Sequence, residues 1–161
     1  MMMSSFDIDE QLQEFNNCSD CSAQFGDFLN PMFIDLIETE DVKLINKLNS
    51  YKNLIDSYSD DEITKANLTF ILDSFIASTE YTIENQENTA SRTSCGTAIG
   101  RGLVGGFISG CVNGAYVGAT VGTVTAPIIG TVTGAVAGCI ASGAVGSVWG
   151  AGFGALWGCL F

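Results

Sequence analysis

The first half of the chain alternates apolar and polar positions at the spacing of amphipathic helices. Apolar residues recur every three or four positions over residues 33–48 and again over residues 63–76, and such residues lie on one face of a helix. Between these stripes, Ser59 precedes three acidic residues, which is the pattern of a helix N-cap with negative charge in the first turn. The pattern predicts three or four helices and little strand over residues 1–84, with Pro31 near a boundary.

The second half has a different period, because a small residue stands at every fourth position from Gly102 to Gly158. The other positions are almost all aliphatic, aromatic or threonine, and no charge follows Arg101. Glycine at this spacing in an apolar chain lets helix backbones approach closely in a membrane. The glycines expected to pack helix on helix are Gly102, Gly106, Gly110, Gly114, Gly118, Gly122, Gly130, Gly134, Gly138, Gly146, Gly150, Gly154 and Gly158.

A proline and a polar stretch set the expected boundaries of this second half. Residues 85–95 are polar and lack periodicity, which is typical of a linker. Pro127 would break a helix, so residues 96–161 are expected to form a hairpin with spans of about 99–124 and 128–160. Each span exceeds the roughly 20 residues that cross a bilayer core. The sequence therefore predicts an all-α protein, in which an acidic helical domain precedes a transmembrane hairpin.

The ends of the hairpin carry the residues expected at a membrane interface, which are Arg101, Trp149, Trp157 and Phe161. The glycine ridge advances about 40° around an ideal helix with every four residues. Each helix is therefore expected to meet more than one neighbour, which favours a homo-oligomer. A strand interpretation competes, since residues 121–133 partly alternate. Glycine at every fourth position would leave one face of a strand bare, and the period favours helices.

Charge and chemistry exclude several functions. The formal net charge is −12, and all 18 acidic residues lie at or before Glu87, so nucleic acid is not expected as a partner. The first ten residues lack a secretory signal pattern, which leaves a non-Sec route for any export. The chain has no histidine, the commonest catalytic base. No catalytic, metal or cofactor site is expected.

The cysteines offer two candidate disulfides, Cys18 with Cys21 and Cys95 with Cys159. Zinc is not expected at the Cys18 pair, because a structural site needs four ligands. Cys111 and Cys139 are expected to act as small packing residues in the hairpin.

The tail resembles the glycine-zipper, membrane-active bacteriocins of the class II and microcin-like kinds, over residues 96–161 only. The segments that carry the resemblance are Gly102-Leu103-Val104-Gly105-Gly106-Phe107-Ile108-Ser109-Gly110 and Gly146-Ser147-Val148-Trp149-Gly150-Ala151-Gly152-Phe153-Gly154. The resemblance implies antimicrobial pore formation or permeabilisation of a competitor's membrane, with an immunity or export partner.

Two functions are therefore weighed. The first is a pore-forming or permeabilising toxin, or its precursor, whose acidic first half is a shielding or delivery domain. Its location would be a membrane, reached after non-Sec secretion, and its partners a lipid bilayer and copies of itself. The alternative is a non-toxic adaptor or effector that uses the hairpin as a membrane anchor.

Overall fold

The computed structural model describes residues 8–18, 26–89, 98–118, 123–126 and 130–160, and the side chains of 9–18, 26–84, 98–118 and 136–152. These residues are almost entirely helical, which confirms the all-α class. The helices are α1 (Ile8–Asn17), α2 (Gly26–Glu38), α3 (Leu44–Tyr58), α4 (Glu62–Thr89), α5 (Ala98–Gly118) and α6 (Gly134–Leu160). A 3₁₀ turn covers Asp41–Lys43, and the strands are β1 (Thr123–Ala126) and β2 (Gly130–Thr133).

The first four helices, hereafter the acidic module, bury the apolar stripes of the sequence. Leu29, Met32, Phe33 and Leu36 share one face of α2 and are at most 1% exposed. The apolar residues of α3 and α4 complete this core. Pro31 lies inside α2 on its exposed side rather than at a boundary. There it removes only one backbone donor, in the second turn of the helix.

Helix α4 begins and ends differently from the sequence expectation. Its N-terminal cap is Asp61, whose carboxylate accepts hydrogen bonds from the backbone N–H and the hydroxyl of Thr64. The hydroxyl of Ser59 instead accepts the N–H of Asp61, at 3.1 Å. At its other end α4 continues to Thr89, into the stretch expected to be a linker.

The two glycine-rich helices are joined through a short sheet rather than by a simple break at a proline. Strands β1 and β2 pair antiparallel with Thr123 opposite Thr133 and Ala126 opposite Gly130. Helix α5 therefore ends before the expected limit of residue 124, and α6 begins after residue 128. Threonine and valine fill these strands, and β-branched residues suit a pleated backbone better than a helical one.

Helices α5 and α6, hereafter the glycine hairpin, pack side by side, and the acidic module packs on them through α1, α2 and α4. Among the described residues, no helix combines the length and the apolar character needed to cross a bilayer. The expected transmembrane hairpin and its pore-forming role are therefore wrong. Glycine supplies the spacing for close packing but almost no apolar surface, and α5 also includes Arg101 and Asn113.

Candidate functional site

Within its described residues, the glycine hairpin is held by contacts between small residues, and in four of these pairs a Cβ would overlap a backbone carbonyl of the facing helix. A Cβ atom on Gly106 would overlap the carbonyl oxygen of Gly146, and one on Gly114 would overlap that of Gly138. The remaining contacts join Gly150 to the carbonyl of Gly102 and Gly110 to the carbonyl of Ser142. Each step of four residues forward along α5 is matched by four residues back along α6. This line of contacts, hereafter the seam, therefore joins two antiparallel helices. Small residues at every fourth position bring together two helices of the same chain.

The other expected packing glycines take different positions. Gly118 lies against Gly138, whose Cβ would stand 3.3 Å from the Gly118 Cα. Gly130 begins β2 and Gly134 begins α6. Gly154 and Gly158 lie in α6 beyond the described side chains, and Gly122 lies outside the described residues.

A disulfide joins the two helices of the hairpin. Cys111 and Cys139 are 28 residues apart in sequence, are bonded to each other, and have their Cα atoms 3.6 Å apart. Both are at most 2% exposed. The sequence pattern predicted only that both cysteines are small packing residues of the hairpin. They fall between the contacts of Gly110 and Gly114 on facing helices, so the antiparallel register was the signal that could have found the pair.

The candidate disulfides from the sequence lie mostly beyond the described part of the chain. Cys18 is disulfide-bonded. Cys21 and Cys95 are outside the described residues, and so is the side chain of Cys159. No group of three or more possible metal ligands occurs among the residues described.

Four phenylalanine rings join the acidic module to the glycine hairpin. Phe33 of α2 and Phe75 of α4 lie with ring centroids 5.6 Å and 5.4 Å from that of Phe107 in α5. Phe15 of α1 packs edge-on to Phe33 at 5.4 Å. All four rings are fully buried. Gly143 makes room for this cluster, because a Cβ there would stand 2.7 Å from the Phe107 ring.

The face of α4 that carries Phe75 continues with small hydroxyl side chains. Thr79 and Thr82 follow at helical spacing on the same face and are buried. Their hydroxyls donate to the carbonyls of Phe75 and Ser78 within α4, at 2.8 Å and 2.7 Å. These bonds do not involve the hairpin. They would survive if the two surfaces separated.

The start of α5 is held by the acidic module at a buried carboxylate. The backbone N–H of Ile99 donates to Asp41 Oδ1 at 3.2 Å, which satisfies one of the free donors at a helix N-terminus. A Cβ on the next residue, Gly100, would overlap the carbonyl oxygen of Leu36. The Nε–H of Arg101, a residue expected at a membrane interface, donates to the carbonyl of Ile37 at 3.5 Å.

Asp41 is buried at this position, which disfavours the charged form of its carboxyl. It is 8% exposed, and its Oδ2 has no hydrogen-bond partner among the described atoms. Burial raises the pKa of its carboxyl from 3.8 to about 6, against the opposing effect of hydrogen bonds from the N–H groups of Ile99 and Gly100. The folded protein therefore holds a proton on Asp41 more tightly than the unfolded chain does.

Stability is accordingly expected to fall as pH rises through the window from about 4 to 6. Asp41→Asn keeps a side-chain acceptor for Ile99 and removes the charge. At pH 7 it should raise the free energy of unfolding by about 2–3 kcal/mol, since one pKa unit corresponds to about 1.4 kcal/mol. The gain should vanish at pH 4 or below. Urea unfolding of both proteins between pH 4 and 7.5 measures it.

The matched control for this prediction is Glu40→Gln, because Glu40 is the exposed neighbour of Asp41. Its difference from the wild type should stay below about 0.5 kcal/mol at every pH. A loss of stability in Asp41→Asn at pH 7 would show that the hydrogen bonds to the carboxylate outweigh the cost of its burial.

Several apolar side chains of the glycine hairpin are exposed. Val145, Val148 and Trp149 share one face of α6 and are 49–65% exposed, and Tyr116 of α5 is 73% exposed. No charged residue follows Arg101 in the sequence. The place of Trp149 at a membrane interface stays a prediction. The side chain of Trp157 and the whole of Phe161 lie outside the described part.

Comparisons with protein-family models, with curated proteins and with solved structures find no match for this chain. The site therefore rests on its own geometry: a close-packed, disulfide-linked hairpin that the acidic module partly covers and that also has exposed apolar side chains.

Proposed function

We propose that the chain is a membrane-active, bacteriocin-like toxin or toxin precursor, in which the acidic module shields the glycine hairpin. The observation that carries the proposal is a contrast within the hairpin. Phe107 is buried among rings of the acidic module, whereas Tyr116, Val148 and Trp149 are exposed, and Arg101 is the one charged residue of α5 and α6.

The exposed surface suits the interface of a lipid bilayer. Tryptophan and tyrosine are favoured where hydrocarbon meets head groups, and an apolar helix face can lie in that layer without crossing it. The proposed action is disturbance of the bilayer from its interface, so no membrane-spanning helix is required. Self-association on the membrane and an immunity or export partner belong to the proposal through the resemblance to bacteriocins.

The charge of the acidic module opposes such binding while the module remains attached. All 18 acidic residues precede the hairpin, and anionic head groups repel negative charge. The module therefore both covers Phe107 and keeps the chain away from an anionic bilayer. Loosening the module would uncover Phe107, whereas only its release would remove the repulsion.

The contact between module and hairpin is suited to separation. Thr79 and Thr82 keep their hydrogen bonds within α4, so exposing this face leaves no hydroxyl donor unsatisfied. The buried carboxylate of Asp41 is relieved of its desolvation when the contact opens. The anchored adaptor stays the alternative prediction, and dye release separates the two functions because an anchor would bind the bilayer without releasing dye.

The test is dye release from anionic vesicles by the full-length chain. Phe75→Leu should weaken the contact with Phe107 and raise the rate of release at least fivefold. Ile55→Val makes a similarly small change in a buried position of α3 and should stay within twofold of wild type. Adding Trp149→Ala to Phe75→Leu should return release to the wild-type rate.

Two outcomes would contradict the proposal. Vesicles that remain tight to Phe75→Leu would show that the uncovered hairpin is not membrane-active. Equal release by Phe75→Leu and Ile55→Val, at matched losses of unfolding free energy, would show that leakage follows instability rather than uncovering.

A further inference from the structure

A second site lies within the acidic module, away from the glycine hairpin. Helices α2 and α3 line an open surface pocket of about 250 Å³, hereafter the aromatic pocket. Its walls are Phe28, Tyr51 and Tyr58, with Pro31 and Leu54 beside them and Asp27 at its edge. No residue of the hairpin lines it, and the proposed toxin function does not use it.

The three rings stand as walls rather than as a flat stack. The ring of Tyr51 is inclined 75° to that of Phe28, with centroids 6.2 Å apart. The ring of Tyr58 is inclined 66° to the same ring, with centroids 5.2 Å apart. Phe28 is buried and Tyr58 is exposed at the rim. The pocket is therefore a partly open box of aromatic surfaces.

Hydrogen bonding and charge give this box a fixed wall and a negative edge. The Tyr51 hydroxyl donates to Asp35 Oδ2 at 2.7 Å, and Lys47 balances that carboxylate at 3.4 Å. Asp27 lines the pocket together with Tyr58, and burial, followed by the negative charge of Asp27, raises the pKa of the Tyr58 phenol. Within the described chain, no lysine or arginine forms an ion pair with Asp27.

We propose that the aromatic pocket binds a trimethylammonium group, as carried by choline. A cation above aromatic faces is attracted to their negative π-clouds, and quaternary ammonium groups are the ligands that aromatic boxes of this kind recognise. The methyl groups suit the apolar lining, whereas a bare ammonium group would lose its hydration there. The volume is below the roughly 300–1,000 Å³ of drug-sized sites, so the ligand is a small group.

The test is titration of the full-length protein with choline, followed by ¹H–¹⁵N NMR shifts. Choline should bind saturably, with a dissociation constant on the order of 1 mM and shifts confined to α2 and α3. The probe 3,3-dimethylbutan-1-ol has the same shape without charge, and it should bind at least tenfold more weakly. Equal binding of the two probes, or no binding of either, would overturn the proposal.

Variants assign the binding to the pocket. Tyr58→Leu keeps an apolar wall and should weaken choline binding at least tenfold, whereas Tyr58→Phe should stay within twofold. Asp27→Asn should weaken it threefold or more. Tyr81→Leu, at an exposed tyrosine of α4, should leave it unchanged. Unaltered affinity in folded Tyr58→Leu would place the cation elsewhere and overturn the assignment.

A last experiment distinguishes two sources of the trimethylammonium group, a lipid head group and a free small cation. Sedimentation with phosphatidylcholine vesicles, if reversed by choline, would identify a lipid head group as the source. Choline binding without sedimentation would identify a free small cation. Both results support recognition of trimethylammonium, and neither depends on whether the hairpin releases dye.

Discussion

Gly106→Ala is expected to lower the free energy of unfolding by about 3 kcal/mol or more, which exceeds the effect of most overpacked core substitutions. The added methyl would overlap the carbonyl oxygen of Gly146 and stand 3.0 Å from the Cα of Gly150. Both atoms belong to the backbone, so neither can rotate away. Helices α5 and α6 must then separate, and van der Waals contacts along the whole seam weaken with them.

The control is Gly152→Ala, because a Cβ at that position meets nothing within 4 Å. Alanine is favoured over glycine in a helix by about 1 kcal/mol, so this variant should be slightly more stable than the wild type. Urea unfolding followed by circular dichroism compares the two. The expected changes have opposite signs for the same chemical substitution. Stabilisation by Gly106→Ala as well would contradict a seam closed by glycine.

The spacing of glycine predicted close helix packing, but it did not predict what encloses the helices. A four-residue repeat states only that two backbones can approach, which holds in lipid and in water alike. In a membrane, lipid surrounds the packed helices. In this protein, the acidic module covers part of the glycine hairpin. Whether lipid or the acidic module covers the hairpin depends on the contacts of Phe33 and Phe75 with Phe107. The local period of the sequence contains no information about contacts between distant segments.

Other features of the site depend on the same long-range contacts. Asp41 lies 58 residues before the N–H that it accepts, so no local motif marks it as a cap. The aromatic pocket combines residues of α2 with residues of α3, which only their packing brings together. The paired strands follow from threonine and valine at alternating positions, a pattern that the stronger glycine repeat outweighed in the sequence.

Removing the Cys111–Cys139 disulfide is expected to lower the free energy of unfolding by about 3–4 kcal/mol. The bond closes a loop of 28 residues, and the chain-entropy cost of opening such a loop in the unfolded state has this size. The double variant Cys111→Ala, Cys139→Ala tests it without leaving either cysteine of the pair as a free thiol. Urea unfolding of the double variant and of the wild type, with and without an oxidant, gives the difference in the free energy of unfolding.

An internal control separates the cross-link from the packing of its two side chains. Cys111→Ala alone already breaks the bond, so it should lose nearly as much as the double variant, within about 0.5 kcal/mol. If the separate losses of Cys111→Ala and Cys139→Ala instead add up to the loss of the double variant, packing of the two side chains, not the bond, supplies the stability. The seam explains why one cross-link matters so much here. Glycine contacts hold α5 and α6 only while the backbones stay in register, and the disulfide fixes that register between the contacts of Gly110 and Gly114.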